Sequence, residues 1–350
     1  MKKQDKDLLA EFQDRGQRSA SKKSERALLR EISRLRGVLG AALDLRNARG
    51  SIQVQAVKRH AGTQRQATAF AMASDWHVEE IVDPRKVGDL NRYSPRIAAF
   101  RSRRFFAGIA HLITEYRKGA WDIRNLVLIL NGDLLSGYIH EELQAGNAMS
   151  PIEATLLVTE LISAGLTFLA KELPEVKISI PCQVGNHGRT THKVWASAAV
   201  ENSYEFLAYS FLAKAHPECS WQLPEGRHSI VDTYGFRTHI HHGDTVKSMG
   251  GIGGVLVPLN RAAIRWREKY RAHASCVGHF HTYAHTPTVI MNGSLIGYSM
   301  YADSLPQAAP EDPAQAFWLI DSKRGMCQAT PLWCSDPSEE RKIWKEYGKR

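Results

Sequence analysis

The segment Ile178–Arg189 reads ISIPCQVGNHGR, and its first half is a short apolar run rich in β-branched residues. Such a run, bounded by a glycine, predicts a buried strand. The run stops at Gly185, and Asn186 and His187 follow at once, so an amide and an imidazole stand where the strand ends. A single Asn-His pair arises easily by chance. Its meaning therefore depends on whether other apolar runs of the chain end in the same way.

Four further apolar runs also end in polar residues. The clusters are DWH at 75–77, NGD at 131–133, HHGD at 241–244 and GHFH at 278–281. Helical patterns separate most of these runs, which predicts a layered α/β architecture. Because the carboxyl ends of neighbouring strands lie along one edge in such folds, we expect the polar residues to gather at that edge.

The gathered side chains are carboxylates, imidazoles and one amide, without a thiolate. This mixture suits Mn²⁺, Fe or Zn²⁺ and suits Mg²⁺ less. It contains more ligands than one ion needs, so two ions would share it. A pair of ions can clamp the oxygens of a phosphoryl group during in-line displacement. The residues are Asp75, His77, Asp133, Asn186, His187, His242, His279 and His281.

These five motifs, in this order, resemble the calcineurin-like metallophosphoesterase superfamily, whose pattern is D-x-H, GD, GNH, a His often followed by Gly, and GHxH. The resemblance covers roughly residues 68–300. It implies an α/β fold, a four-layer α/β/β/α sandwich with a dinuclear site at the strand ends. It also implies hydrolysis of phosphodiester bonds by in-line attack of a metal-bridging hydroxide. Mn is the metal we expect, with Fe, Zn and Mg as alternatives.

The resemblance divides the predicted ligands between two ions. The first ion would be held by Asp75, His77 and His281. The second ion would be held by Asn186, His242 and His279. Asp133 would bridge both ions, and His187 would be the catalytic histidine, which stabilises the transition state or protonates the leaving oxygen.

The chain departs from the family pattern after the GNH motif. Gly188 stands where the family often has an Asp or Glu that orients the preceding histidine, so the sequence leaves the partner of His187 open. DNA-repair exonucleases of the SbcD type commonly have a His three residues after the bridging Asp, where this chain has Ser136. This difference argues against that branch.

Three residues near the motifs are predicted to contact the substrate, namely Arg189, His241 and His140. His241 is also the alternative to His242 as a ligand, because period-two alternation places it on one strand face with His239. Trp76 lies between two predicted ligands. We interpret it as a packing residue, with a stacking surface for a base as the alternative.

The formal net charge of +10 is concentrated near the N-terminus. Residues 1–50 contain 13 Lys and Arg against seven Asp and Glu. A clustered basic excess can bind nucleic acid through phosphate contacts, and a solvated tail is the alternative. We divide the chain into a basic, partly disordered and helical N-terminal arm (1–66), a metallophosphoesterase domain (67–335) and a charged C-terminal tail (336–350).

Periodic apolar residues predict a helix over 24–43 that docks on the body, forms a homodimer or binds a partner protein. Two more helices are predicted to begin at Ser94-Pro95 and at Ser150-Pro151, the second with Glu153 as a capping box. The basic start of the first helix is interpreted as a solvated face, with a phosphate-facing patch as the alternative; its residues are Arg96, Arg101, Arg103 and Arg104. The sequence shows neither a membrane span nor a leader pattern, and its five scattered cysteines predict no disulfides, so we expect a cytoplasmic protein.

Three functions are compatible with these features. The first is a metal-dependent phosphodiesterase that acts on nucleic acid, and DNA in particular. The second is a phosphomonoesterase or a phosphohydrolase for small molecules such as nucleotides or nucleotide sugars, since the HHGD element also resembles UDP-sugar pyrophosphate hydrolases of the superfamily. The third is a metal-free scaffold, against which the complete set of predicted ligands argues.

Overall fold

The apolar runs of the sequence form the central strands of two sheets in a computed structural model of the chain. The structure describes residues 53–54, 65–119, 121–139, 141–193, 195, 197–247, 254–305 and 309–348. The helix predicted over 24–43, the basic residues of 1–50 and His140 lie outside the described residues. Within the described part, the chain has a mixed α/β fold.

The first sheet contains six strands in the order β12-β11-β2-β3-β4-β5. They span Arg65–Ala73 (β2), Trp121–Asn131 (β3), Lys177–Gln183 (β4), Ser220–Gln222 (β5), Ala314–Asp321 (β11) and Gly325–Trp333 (β12). Strands β2 to β5 pair in parallel, and β11 pairs antiparallel with both β2 and β12. The carboxyl ends of β2, β3 and β4 therefore face the same edge of the sheet.

The second sheet also has six strands, in the order β1-β6-β7-β8-β10-β9. They span Gln53–Val54 (β1), Ser229–Thr233 (β6), Phe236–Ile240 (β7), Ala274–Val277 (β8), Ala284–Thr286 (β9) and Val289–Met291 (β10). Strands β6 and β7 form an antiparallel hairpin, whereas β7 pairs in parallel with β8. The ends of β7 and β8 consequently lie side by side.

The two sheets share one hydrophobic core. Side chains of the first sheet, such as Phe70, Val127 and Trp318, form a single buried cluster with Ile240 and Ile290 of the second. Alternate residues of β2, β3 and β11 belong to this cluster, as expected for sheets that pack face to face. The contact fixes the position of one sheet relative to the other, and with it the positions of the strand ends.

Seven α-helices accompany the sheets within the described residues. They span Pro95–Lys118 (α1), Glu141–Gly146 (α2), Pro151–Glu172 (α3), Tyr204–Ala215 (α4), Leu256–Tyr270 (α5), Met300–Asp303 (α6) and Pro337–Tyr347 (α7). The predicted starts of α1 and α3 are confirmed. The side chain of Ser94 accepts a hydrogen bond from Ile97 N, and Ser150 and Glu153 form the reciprocal capping box.

Helix α3 packs against both α1 and α4. It is the one helix among the described residues whose length and composition would suffice to cross a membrane, which is also true of many helices in the cores of soluble proteins. Its buried residues include Val158, Ile162 and Leu166, which recur at helical spacing. They form the apolar face of α3 that is buried in the fold.

The interpretation of Arg101 as part of a solvated face is wrong. Its side chain is 1% exposed and donates hydrogen bonds of 2.9 and 2.8 Å to the two carboxylate oxygens of Glu340 in α7. The same guanidinium donates to the carbonyls of Leu295 and Ile296. A buried charge is tolerated only when it is paired and hydrogen-bonded. The ion pair thus attaches α7 to α1 and to the loop that follows β10.

We expect Glu340→Ala to destabilise the protein by about 3–5 kcal/mol, because the charge of Arg101 would be left buried without its partner. Urea unfolding followed by circular dichroism measures the change. The control is Glu339→Ala, which removes an exposed ion pair with Lys342 and should change the free energy of unfolding by less than about 1 kcal/mol. Equal effects of the two substitutions would contradict the structural role of the buried pair.

Candidate metal centre

Strand ends from both sheets meet at one edge and are joined by hydrogen bonds. Asp75 follows β2, and its backbone N–H donates a hydrogen bond of 3.0 Å to the carbonyl of Gly132, which follows β3. Gly278 follows β8, and its N–H donates a hydrogen bond of 2.7 Å to the carbonyl of His242, which follows β7. The amide of His279 donates to Asp75 Oδ1 at 2.9 Å and so connects the two sheets. These contacts bring four of the five polar clusters together, as expected from the sequence.

Five of the predicted ligands lie on left-handed backbone. Their φ angles fall between 49° and 70°. This conformation is uncommon outside glycine, although Asp and His adopt it more readily than most residues. It costs on the order of 1–3 kcal/mol per residue and is concentrated at functional sites. The five residues are Asp75, His77, Asp133, His279 and His281.

Asp75, His77 and His281 form the first cluster that could hold a metal ion. Each offers one ligand atom within 4.8 Å of the other two. Nε2 of His77 lies 3.3 Å from Nε2 of His281, while Nδ1 of His77 lies 2.7 Å from the hydroxyl of Ser136. That hydroxyl also donates to Glu80. Histidines that bind metals usually have their second nitrogen held in this way.

Asp133, His242 and His279 form the second such cluster, with ligand atoms again within 4.8 Å of one another. Nε2 of His242 lies 2.8 Å from Asp133 Oδ2, and its Nδ1 lies 2.7 Å from the carbonyl oxygen of Asn131. The carbonyl engages Nδ1, which directs Nε2 toward the carboxylate. Two neighbouring clusters of this kind are consistent with a dinuclear site.

Asn186 supplies an independent test of whether a metal fits. Its side-chain oxygen is buried and has no hydrogen-bond partner among the described residues. An unpaired buried oxygen of this type costs about 1–3 kcal/mol. The next residue along the chain, His187, donates its backbone N–H to Asp133 Oδ1 at 2.7 Å, so Asn186 lies beside the second cluster. An ion there would satisfy the amide oxygen.

The two aspartates place two buried carboxylates in the site. Burial raises the pKa of Asp75 to about 6, and the charge of Asp133 contributes to the rise against the opposing pull of His242. Burial would also raise the pKa of Asp133, but attraction to His242 and His187 holds it well below its usual value. Two buried carboxylates close to each other favour bound cations. The donor set therefore fits metal ions on electrostatic grounds as well.

His187 belongs to neither cluster, but it contacts the loop after β3 and the loop after β2. Its Nδ1 lies 3.2 Å from the backbone carbonyl oxygen of Ser136. Its ring packs edge-on against the ring of His77, with the ring centroids 4.8 Å apart. Burial lowers its pKa, against the attraction of Asp133. A carbonyl of the loop after β3 thus orients the histidine, where the family often has a carboxylate directly after it.

Glu205 of α4 is a supporting residue that no sequence motif marks. It is fully buried, and its two oxygens accept hydrogen bonds from the backbone N–H groups of Leu134 (2.8 Å) and Gly185 (2.7 Å). Burial and the nearby charge of Asp133 raise its pKa to about 8. A Cβ at Gly188 would lie 2.8 Å from Cγ of Glu205. The glycine after His187 therefore leaves room for a carboxylate that arrives from another element.

Glu79 supports the opposite side of the loop after β3, and sequence reasoning missed it as well. Its Oε1 accepts hydrogen bonds of 2.8 Å from the N–H groups of Ser136 and Gly137. Its Oε2 is buried and has no partner among the described residues. Burial raises the pKa of the carboxyl to about 7. Glu79 is thus poised between the protonated and ionised forms near neutral pH.

The residues predicted to contact substrate lie in different environments. Arg189 donates to the backbone carbonyls of Asn186, Thr191 and His192 and so stabilises its own loop. His241 belongs to neither metal cluster. Its ring packs against that of Trp266 with centroids 4.8 Å apart.

Trp76 is fully buried and packs edge-on against the rings of Phe105 and Phe106. Its indole N–H donates to the side chain of Gln315 at 3.0 Å. The packing interpretation of this residue is confirmed, and the alternative of a stacking surface for a base is wrong.

Comparison with known proteins gives only remote similarities. No family model and no curated protein matches the sequence. A hypothetical protein from Pyrococcus horikoshii OT3 is 12% identical, with a TM-score of 0.37 over 80% of this chain and 94% of that chain. Vps29 from Chaetomium thermophilum is 9% identical, with a TM-score of 0.27 over 75% of this chain and 94% of Vps29. The phosphopantetheinyl hydrolase from Mycobacterium tuberculosis is 12% identical, with a TM-score of 0.28 over 71% of this chain and 95% of the hydrolase. These values are too low to support an argument about function, which rests on the site itself.

We expect Glu79→Gln to weaken the pH dependence of stability in the metal-free protein. The folded-state pKa of about 7 lies above the ordinary value of 4.5 for a glutamate, so the stability that Glu79 contributes is complete below pH 4.5 and is lost as the pH rises through 7. This difference in pKa corresponds to a loss of about 3 kcal/mol in the free energy of unfolding at high pH. Gln retains the accepting oxygen and replaces the unpartnered one with a donor. Urea unfolding at pH 4.5 and 8.5 measures the difference, with the exposed Glu339→Gln as control. An unchanged pH dependence in Glu79→Gln would contradict the assignment.

Proposed function

We propose that this chain is a dinuclear-metal-dependent phosphoesterase that hydrolyses phosphodiester bonds in nucleic acid. The observation that carries the proposal is the pair of Asp/His clusters at one edge of two sheets, next to an amide oxygen that has no partner within the described part of the chain. The four-layer α/β/β/α sandwich of the calcineurin-like metallophosphoesterases is the architecture that we propose for it. Two neighbouring ions suit in-line displacement at phosphorus.

The residues of the site would divide the work. One ion would be held by Asp75, His77 and His281. The other would be held by Asn186, His242 and His279. Asp133 would bridge them. The ions, Mn in the first place with Fe, Zn and Mg as alternatives, would supply charge stabilisation and a Lewis acid for the phosphoryl oxygens.

His187 would act on the leaving group. Its Nδ1 is placed against the carbonyl of Ser136, so Nδ1 would carry a proton that it donates to that oxygen. Nε2 is then the nitrogen that exchanges a proton with the substrate. A lowered pKa makes the imidazolium form a readier proton donor. The edge-on contact with His77 holds the ring in place.

Nucleic acid is the proposed substrate because the chain has a formal net charge of +10 with its basic excess in the first 50 residues. Neutralised phosphates release counterions, so binding should weaken steeply as salt increases. A phosphomonoesterase or a hydrolase for nucleotides and nucleotide sugars would need no such charge. A scaffold would need neither the charge nor bound metal.

We expect the purified protein to cleave DNA when Mn²⁺ is present and to lose this activity in EDTA. Asp133→Asn should lower the rate by at least about 100-fold, because the residue at the centre of the donor set loses its charge. Gel assays on single- and double-stranded DNA measure cleavage, and elemental analysis after Mn²⁺ loading and desalting measures bound metal.

Generic substrates separate the alternatives. Turnover of phosphomonoesters or of nucleotide sugars in the absence of DNA cleavage would contradict the nucleic-acid assignment. Empty sites after Mn²⁺ loading would contradict the enzymatic function and support a scaffold. A DNA trace for Asp133→Asn that equals that of the wild type would indicate a contaminating nuclease.

His187→Ala should retain both metal ions and lower turnover by about 10²–10⁴-fold, the range for a general acid or base. The matched comparison is His242→Ala, which should lose metal together with activity, because His242 lies in the second cluster. Elemental analysis and initial rates are measured on the same preparations. Loss of metal in His187→Ala would refute the division between ligands and catalytic histidine.

A further inference from the structure

A narrow crevice opens next to the candidate metal centre. It is lined by residues that include Asn186, Arg189, Thr191, Trp195, Arg227 and Asp244. Because Asn186 is a predicted ligand of the second ion, a substrate that reaches the ions through this side passes the crevice. What the crevice offers chemically therefore bears on which substrates the site accepts.

Trp195 places an exposed aromatic ring in the lining. Its side chain is 55% exposed, whereas Trp76 and Trp318 are buried in the core. Exposure alone decides little, since Trp333 is 57% exposed on β12. The location distinguishes Trp195, because it shares a crevice with a predicted metal ligand and Trp333 does not.

Arg189 adds a fixed positive charge to the same lining. Its guanidinium donates to three backbone carbonyls of its own loop, which hold it in one place. Within the described part of the chain, no carboxylate lies within ion-pair distance of it. Arg227 differs, because it is paired with Asp244. Arg189 is thus the cation of the crevice that is positioned to attract an anionic group.

The size of the crevice decides how a ligand can use it. Its free volume is about 20 Å³, close to the space that a single water molecule needs. A nucleobase cannot enter a space of this size. Within the lining, the exposed ring of Trp195 is the surface that a base outside this space can contact.

We propose that Trp195 and Arg189 form a subsite for the nucleotide residue adjacent to the scissile bond of a single-stranded nucleic acid. The base stacks on Trp195, and its phosphate is attracted by Arg189. Stacking of this kind tolerates any base, because every base has a flat face. A single strand fits because its bases are unpaired, whereas those of a duplex are stacked inside it. The proposal rests on the proposed function, since the ions define which bond is scissile.

The test compares a single-stranded oligonucleotide with one of equal length and charge that carries an abasic residue at each position in turn. Binding of the full chain is measured by fluorescence anisotropy in EDTA, so that hydrolysis does not interfere. We expect one abasic position to weaken binding to the wild type by about 10-fold, as for the loss of one stacked base. Trp195→Ala should bind both oligonucleotides equally, and Trp195→Phe should restore part of the difference.

The matched control is Trp333→Ala, which removes an equally exposed indole outside the crevice and should keep the preference for the base. A preference that persists in Trp195→Ala, or that disappears in Trp333→Ala, would overturn the subsite. A duplex or a free mononucleotide that competes as well as the single strand would overturn the assignment to single strands.

The same wild-type preparation is assayed for hydrolysis with Mn²⁺. Base preference without hydrolysis would support the subsite and refute only the phosphoesterase function. Hydrolysis at equal KM for intact and abasic strands, with no preference in binding, would support the phosphoesterase function and refute the subsite.

Discussion

Two buried carboxylates, those of Asp75 and Asp133, impose the constraint on which the rest of the site depends. Both side chains are at most 1% exposed, and each lies at the end of a central strand of the first sheet. A buried anion requires compensation by hydrogen bonds and positive charge. The second sheet supplies the N–H of His279 and the ring of His242 to these two residues. The packing of one sheet on the other is therefore also what assembles the donor set.

Two more buried carboxylates hold the backbone beneath this donor set. Glu79 accepts from successive N–H groups of the loop after β3, and Glu205 connects that loop to the one after β4. A functional side chain is placed accurately only when its own support is fixed. Asp133 is an example, because its backbone is left-handed and the N–H of the next residue, Leu134, is held by a hydrogen bond to Glu205. Strain at the site is thus balanced by hydrogen bonds from outside it.

The polar clusters could be predicted because they depend on local pattern. An apolar run that ends in a glycine and a polar residue places that residue at a strand end, and parallel strands share an edge. The helix starts at Ser94 and Ser150 could be predicted for the same reason, since an N-cap depends only on residues close in sequence. Arg101 and Glu205 could not be assigned in this way. Their partners are distant in sequence, and only the packing of α7 and α4 brings them together.

The sequence by itself determined the α/β class, the order along the chain of the polar clusters that follow the strands, and a donor set suited to metal ions. Only the tertiary structure decided that His242 lies against Asp133 while His241 packs against Trp266. It also decided that a carbonyl of Ser136 approaches His187 and that Gly188 makes room for Glu205. The physical reason is that residue type and spacing define what a side chain can do. The direction in which it points, and what it meets there, depend on elements far away in the chain.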